Sequence, residues 1–201
     1  MSKKMLITGA SGFLGSRVVR YYKDKYEVLT PSHSEMDIAD EASVMHYFKK
    51  ARPDFIIHCA AISDVGRCER EPELSWMYDA DDEKRMDFIK QLRGCMYEGK
   101  ETCFSAKDKR GITDVWEVVR NIEPALELPG GIYNFGSPND KSTYEMVMDI
   151  CQSLGCESSY VCVMENANFR NLTMTQEKIN QYGILFSNTE DGVLSCFNKG
   201  K

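Results

Sequence analysis

A doubly wound, parallel α/β sheet followed by a small C-terminal α/β lobe is the fold this sequence predicts, and three observations carry the prediction. Short apolar runs at residues 4–8, 26–29 and 55–60 alternate with helical patterns, which is the β-α-β-α-β order from which such sheets are built. Three glycines, Gly9, Gly12 and Gly15, stand between the first run and the first helix. Beyond residue 81 strand and helix patterns resume, but with less than a full second half of the sheet.

Taken in order, Lys4 to Thr8 is an apolar run bounded by glycine, as expected of a buried parallel strand. Phe13, Leu14, Val18, Val19 and Tyr22 recur at helical spacing, predicting a helix to about Lys25. Tyr26 to Leu29 reads as a second strand and Pro31 to Ser34 as loop. Asp40 is placed to cap a helix whose apolar face holds Val44, Tyr47, Phe48 and Ala51. Pro53-Asp54 leads into a third strand, Phe55 to Ala60. Loop is expected over 62–75, then helices over 81–98 and 114–126, with a short strand over 102–105 between them. A strand over 131–135, a helix over 142–154, a strand over 159–164 and helices near 175–181 and 191–197 complete the chain. The expected division is a dinucleotide-binding half, residues 1–75, and a remainder, residues 76–201.

Composition excludes several functions. With 42% hydrophobic and 28% charged residues among 201, the chain is an ordinary globular one. A net charge of −6 without a basic run argues against nucleic acid or an anionic membrane as partner. Only Met5 to Ile7 is apolar near the N-terminus, too short for a signal-peptide core, which points to a cytoplasmic location. Eight cysteines include no C-x-x-C pair and no histidine at zinc-finger spacing. Reduced thiols and no metal site are therefore expected. His33, His46 and His58 show no triad-like spacing and are assigned structural roles.

The glycine segment carries the chemistry. A pyrophosphate needs backbone N–H groups, a helix N-terminus and no side chains in the way. Gly9 permits a tight turn out of the strand, Gly12 lets the backbone approach the phosphates, and Gly15 lets the helix pack closely. The spacing is G-x-x-G-x-x-G, and its place between a strand and a helix points to a nicotinamide dinucleotide. NAD sites commonly hold the ribose hydroxyls with a carboxylate at the end of the second strand. Here Thr30, Pro31 and Ser32 occupy that place, while Arg17 is available to a 2′-phosphate. NADP(H) is favoured over NAD(H).

On these residues the chain resembles the extended short-chain dehydrogenase/reductases, and within them the dTDP-4-dehydrorhamnose reductase group, RmlD-like sugar-nucleotide-binding proteins. Residues 6–15 look like that family's nucleotide loop, Met36 to Asp40 like its adenine-contacting step, and Pro53 to Ala61 like its third strand. Ser75 to Tyr78 and Asp108 to Thr113 are similar to later segments, Gly131 to Gly136 with Ser142 to Glu145 to the strand and helix that begin its substrate lobe, and Arg170 to Ile184 to its closing run. The resemblance implies a truncated Rossmann-like sheet with Gly9, Ser11, Gly12, Phe13, Leu14, Gly15, Arg17, Asp37, Ile38, Cys59, Ala60 and Ala61 at the cofactor. It implies Trp76, Tyr78, Arg110 and Gly111 at a nucleotide-sugar substrate. Asp64, Arg67 and Glu69, following the third strand, are placed at the mouth of the cleft.

The family's strand bearing Ser/Thr and helix bearing Tyr-x-x-x-Lys have no counterpart between the third strand and Trp76; roughly two β-α units are missing, with a join near Ser75–Trp76. In ketone reduction that Tyr protonates the alkoxide and that Lys lowers its pKa. The one match here, Tyr21 and Lys25, falls in the first helix and reads as coincidence. No catalytic residue is assigned. Two functions are expected: a nucleotide-sugar reductase by ancestry with impaired turnover, or a non-catalytic cofactor-binding or regulatory module. With a fourth strand gone, the first strand is expected to lack a neighbour on one side. Residues 132–135 or a second subunit in a homo-oligomer would then cover it.

Overall fold

The computed structural model describes residues 2–60, 88–165 and 171–198. The chain divides into two compact units, Met1–Arg85 and Met86–Lys201. The expected boundary at 75/76, the join beside it, and Ala61, Asp64, Arg67, Glu69, Trp76 and Tyr78 lie outside the described residues.

In the first unit β1 (Lys4–Thr8), α1 (Phe13–Tyr22), β2 (Glu27–Leu29), α2 (Glu41–Ala51) and β3 (Phe55–His58) follow one another. All three strands are parallel, in the order β2-β1-β3. β1 is central because its middle is apolar: Met5, Leu6 and Ile7 are fully buried, and α1 adds Val18 and Tyr22. Each such side chain contributes roughly 1.5–3 kcal/mol by leaving water. Tyr22, Tyr26 and Phe55 stack edge to face in succession, tying α1 to the edge of the sheet. Asp40 caps α2 as expected, accepting from the Ala42 N–H at 3.0 Å.

The strand order corrects one expectation. Phe55–His58 pairs not beside β2 but on the far side of β1, with Met5 opposite Phe55 and Thr8 opposite His58. It occupies the place assigned to the missing fourth strand, so β1 is paired on both sides and has no bare edge. The reason proposed for a second subunit at β1 falls away. Order 2-1-3 is the other common opening of a doubly wound sheet, and its connections diverge between β1 and β3.

The second unit contains α3 (Phe88–Tyr97), β4 (Thr102–Ser105), β5 (Lys109–Arg110), α4 (Val115–Ala125), α5 (Thr143–Leu154), β6 (Val161–Met164), β7 (Asn171–Leu172), α6 (Glu177–Asn180) and α7 (Thr189–Asn198). Strands β4 and β6 pair in parallel, as do β5 and β7. Leu92, Cys95, Phe104, Met146, Val147, Ile150 and Val193 form its main core, from α3, β4, α5 and α7. Ser142 and Glu145 make a reciprocal capping box at the start of α5. Residues 131–135, expected as a strand, form none. Their alternation is real, since Tyr133 and Phe135 pack on Ile184 and Phe186 while Ile132 is 90% exposed. Among the described residues no neighbouring strand supplies a ladder for them. The two-residue strands β5 and β7 were not foreseen; they are too short to show a period.

Cysteine usage brings a second correction. Cys103 and Cys162, expected as reduced thiols, form a disulfide across β4 and β6. They are 59 residues apart, so the pairing is invisible to local spacing. Cys95, Cys151 and Cys156 carry free thiols. No helix among the described residues is long and apolar enough to cross a membrane.

Candidate functional site

The site is built where the three parallel strands end. After Thr8 the chain turns at Gly9, whose φ of +63° suits glycine alone without strain. The Gly12 N–H closes this turn on the Gly9 carbonyl at 3.0 Å. Gly12 is then the N-cap of α1, with no capping side chain and no acidic residue in the first turn. The amides of Phe13, Leu14 and Gly15 thus have no intrahelical acceptor, and the helix dipole places about half a positive charge there.

Glycine is required at two points by contact. A Cβ on Gly9 would stand 2.7 Å from the Ala60 nitrogen, so the loop after β1 lies directly against the loop after β3. A Cβ on Gly15 would stand 2.1 Å from the Gly9 carbonyl oxygen. Gly15 therefore lets the helix approach the turn itself, a closer constraint than the helix–sheet packing expected of it. Thr8 holds the two loops in register. Its Oγ1 lies 2.7 Å from Nδ1 of His58 and accepts from the Ala60 N–H at 3.4 Å. Sequence reading assigned no role to Thr8, and gave His58 only a generic structural one.

These loops open onto a cleft of about 630 Å³, bounded by Thr8, Gly9, Ala10 and Ser11 on one side and by Thr30, Pro31, Ser32 and His33 on the other. Val19, Met36, Ile38 and Ala60 complete its wall. Of the residues expected at a cofactor, Gly9, Ser11, Ile38 and Ala60 line this cleft, and Gly12, Leu14 and Gly15 shape the helix mouth beside it. Phe13 is 66% exposed, and Arg17 is folded onto it, its guanidinium 3.8 Å from the ring centre and donating to the Phe13 carbonyl. Neither is among the lining residues. Cys59 donates its N–H to the Thr8 carbonyl at 3.3 Å. Asp37 stands behind the wall, its Oδ1 accepting from the Ala39 N–H at 2.9 Å and lying 3.7 Å from His33 Nε2. Thr30 to His33 could have been found by the rule that ligands sit beyond the carboxyl ends of parallel strands.

The electrostatics are simple. Glu35 does not face the cleft; its carboxylate accepts from the Ser32 N–H and hydroxyl, both at 2.8 Å, and these bonds hold its pKa below the usual carboxylate range. Among the described lining residues His33 is the one titratable group, and none of them brings a carboxylate against an anion in the cleft.

The second unit's expected substrate residues are accounted for differently. A Cβ on Gly111 would lie 2.1 Å from the Ser137 carbonyl oxygen, so this glycine serves a close backbone crossing. The Arg110 carbonyl accepts from the Asn139 amide, and Arg110 borders a hollow of only about 30 Å³. That space suits water rather than a sugar.

A parallel sheet with a glycine turn, an uncapped helix mouth and a cleft at its strand ends defines a Rossmann-like α/β protein. Residues 3–86 match the RmlD substrate binding domain family. The spore coat polysaccharide biosynthesis protein SpsK of Bacillus subtilis is 39% identical over 75 residues, 37% of this chain and 26% of that protein. The dTDP-4-dehydrorhamnose reductase of Mycolicibacterium smegmatis is 36% identical over 81 residues, 40% of this chain and 24% of that one. The matched segments thus span about a quarter of the length of these relatives. The crystal structure of dTDP-4-dehydrorhamnose reductase from Bacillus anthracis, in complex with NADP, superposes with a TM-score of 0.82 at 17% identity. That superposition covers 99% of each chain and shows a common fold. Residues 3–86, less than half of the chain, thus resemble the RmlD substrate binding domain family.

Proposed function

We propose that this chain binds a nicotinamide dinucleotide in the cleft at the ends of β1, β2 and β3, with the pyrophosphate over the mouth of α1. The observation that carries this reading is the α1 N-terminus, which has neither a capping side chain nor an acidic residue and is brought against the cleft by Gly9 and Gly15. Such a terminus offers amides and positive potential to a diphosphate. The walls at Thr30 to His33 suit the adenosine end, and the absence of a lining carboxylate there supports NADP(H) over NAD(H).

Bound here, the cofactor would supply a hydride to a keto group, the reaction class named for the M. smegmatis relative. The substrate class by this reading is a nucleotide sugar. This chain's own residues then cradle and orient, and among the described residues that line the cleft there is no tyrosine to act as general acid. Tyr21 and Lys25 lie near the far end of α1, about 12 Å along its axis from the first turn at 1.5 Å per residue. The reading is therefore a reductase by descent, impaired in proton transfer, and a cofactor-binding module if turnover is nil. Titration of the full chain with NADPH and NADH, followed by fluorescence, tests the binding. Saturable binding with NADPH the tighter ligand is expected; no binding at millimolar concentration refutes the proposal. Absorbance loss with a 4-keto nucleotide sugar at a rate typical of reductases would refute the impairment.

A further inference from the structure

We infer that Cys103, Cys162 and Glu101 form a redox-gated site for a thiophilic divalent cation, shut as the disulfide and open as a dithiol that binds zinc with Glu101 as third ligand. This site is independent of the nucleotide cleft and lies on the other unit. β4 and β6 run parallel and in register, with Cys103 directly opposite Cys162 and Cα atoms 4.3 Å apart. Opposed residues of adjacent strands share a face, and so do residues two apart along a strand. Glu101, two residues before Cys103, therefore joins the pair, and its carboxylate lies within 4.8 Å of both sulfurs. The neighbouring Phe104 points the other way, into the core, which leaves Cys103 and Glu101 exposed and Cys162 half-buried.

Two thiolates and a carboxylate are a donor set for zinc-class ions, with a fourth position left to water. The donors stay positioned after reduction, because the strands are held by their own ladder and by the Thr102 N–H donating to the Tyr160 carbonyl at 2.9 Å. Among the described residues this is the one group of three such side chains close enough to share an ion. Exposure opens the disulfide to exchange with a low-molecular-weight thiol. One thiolate attacks a protein sulfur to give a mixed disulfide, and a second releases it. Two electrons pass to the Cys103–Cys162 pair as the small thiols become their own disulfide. Zinc then displaces the two thiol protons.

The test uses the full chain, oxidised or reduced with a phosphine, and zinc alone as probe. The reduced wild type should bind one zinc ion more than the oxidised protein and one more than the Cys103→Ser/Cys162→Ser double variant. Glu101→Gln should bind at least about tenfold more weakly. A readout free of folding effects comes from the wild type itself: zinc should slow alkylation of Cys103 and Cys162, read by mass spectrometry, while Cys95 and Cys151 keep their rates. Equal zinc stoichiometry in the oxidised and reduced chains overturns the inference, as does zinc that leaves alkylation of Cys103 and Cys162 unchanged.

Discussion

Replacing Gly15 by alanine should disable the nucleotide cleft although Gly15 is not itself among the residues that line it. A methyl group at this position would begin 2.1 Å from the Gly9 carbonyl oxygen, 2.8 Å from the Gly9 carbonyl carbon and 2.9 Å from the Ala10 Cα. Carbon atoms of this kind come to rest no closer than about 3 Å, so α1 and the turn must part by about 1 Å. The atoms met are backbone, which has no rotamer to yield. Overpacking of this sort costs about 1–3 kcal/mol. Spent entirely on the binding geometry, that is roughly a five- to 150-fold loss of affinity for NADPH. Spent on the fold of the first unit, it is a fall in melting temperature of about 4–8 °C per kcal/mol. Fluorescence titration and thermal melting of the same preparations measure both. Gly130→Ala is the control, because a Cβ there meets nothing within 4 Å, and it should stay within about 0.5 kcal/mol of the parent. A Gly15→Ala variant that binds NADPH like the parent and melts at the same temperature would refute the close-approach reasoning.

Four other outcomes follow from the same structure. Thr8→Val removes the hydroxyl that joins His58 and the Ala60 amide, and should cost about 1 kcal/mol in urea unfolding together with weaker NADPH binding. Ser142→Ala should lose about 1–2 kcal/mol of the second unit's stability, since the capping box at the buried start of α5 is gone. In the same box the Ser142 N–H and hydroxyl hold the Glu145 carboxyl below its ordinary pKa. Its contribution is complete above the usual glutamate range and is lost as pH falls through the depressed folded value, so Glu145→Gln should flatten the acid limb of the stability profile. Reducing Cys103–Cys162, which are 59 residues apart, should lower the second unit's stability by about 4 kcal/mol, measured as the change in urea midpoint and slope with and without reductant.

Much of the first unit was legible because its signals are local. A strand, a glycine turn and an amphipathic helix each follow from neighbouring residues, and Gly9, Gly12 and Gly15 mark the helix mouth by spacing alone. Asp40 announced its helix for the same reason, since a cap acts within one turn. The cleft's other wall was half legible: Thr30 to Ser32 were recognised as the place where a carboxylate is commonly found, but His33 was read as plain loop. Arg17, available in the sequence to a 2′-phosphate, lies over its own neighbour Phe13 one turn away, a contact the residue pattern alone does not announce.

What only the tertiary structure decided depends on partners distant in the chain. Parallel strands carry no mark of which neighbour they choose, so the apolar pattern of Phe55–His58 suits either side of the sheet, and only the crossover placed it against β1. Residues 131–135 alternate like a strand yet need a second strand's ladder to become one. Cys103 and Cys162 meet because β4 and β6 pair in register, a relation that no spacing along the chain records. Local chemistry thus wrote the turn, the caps and the helix mouth, whereas strand order and the cysteine bridge were settled by which backbones found hydrogen-bond partners in three dimensions.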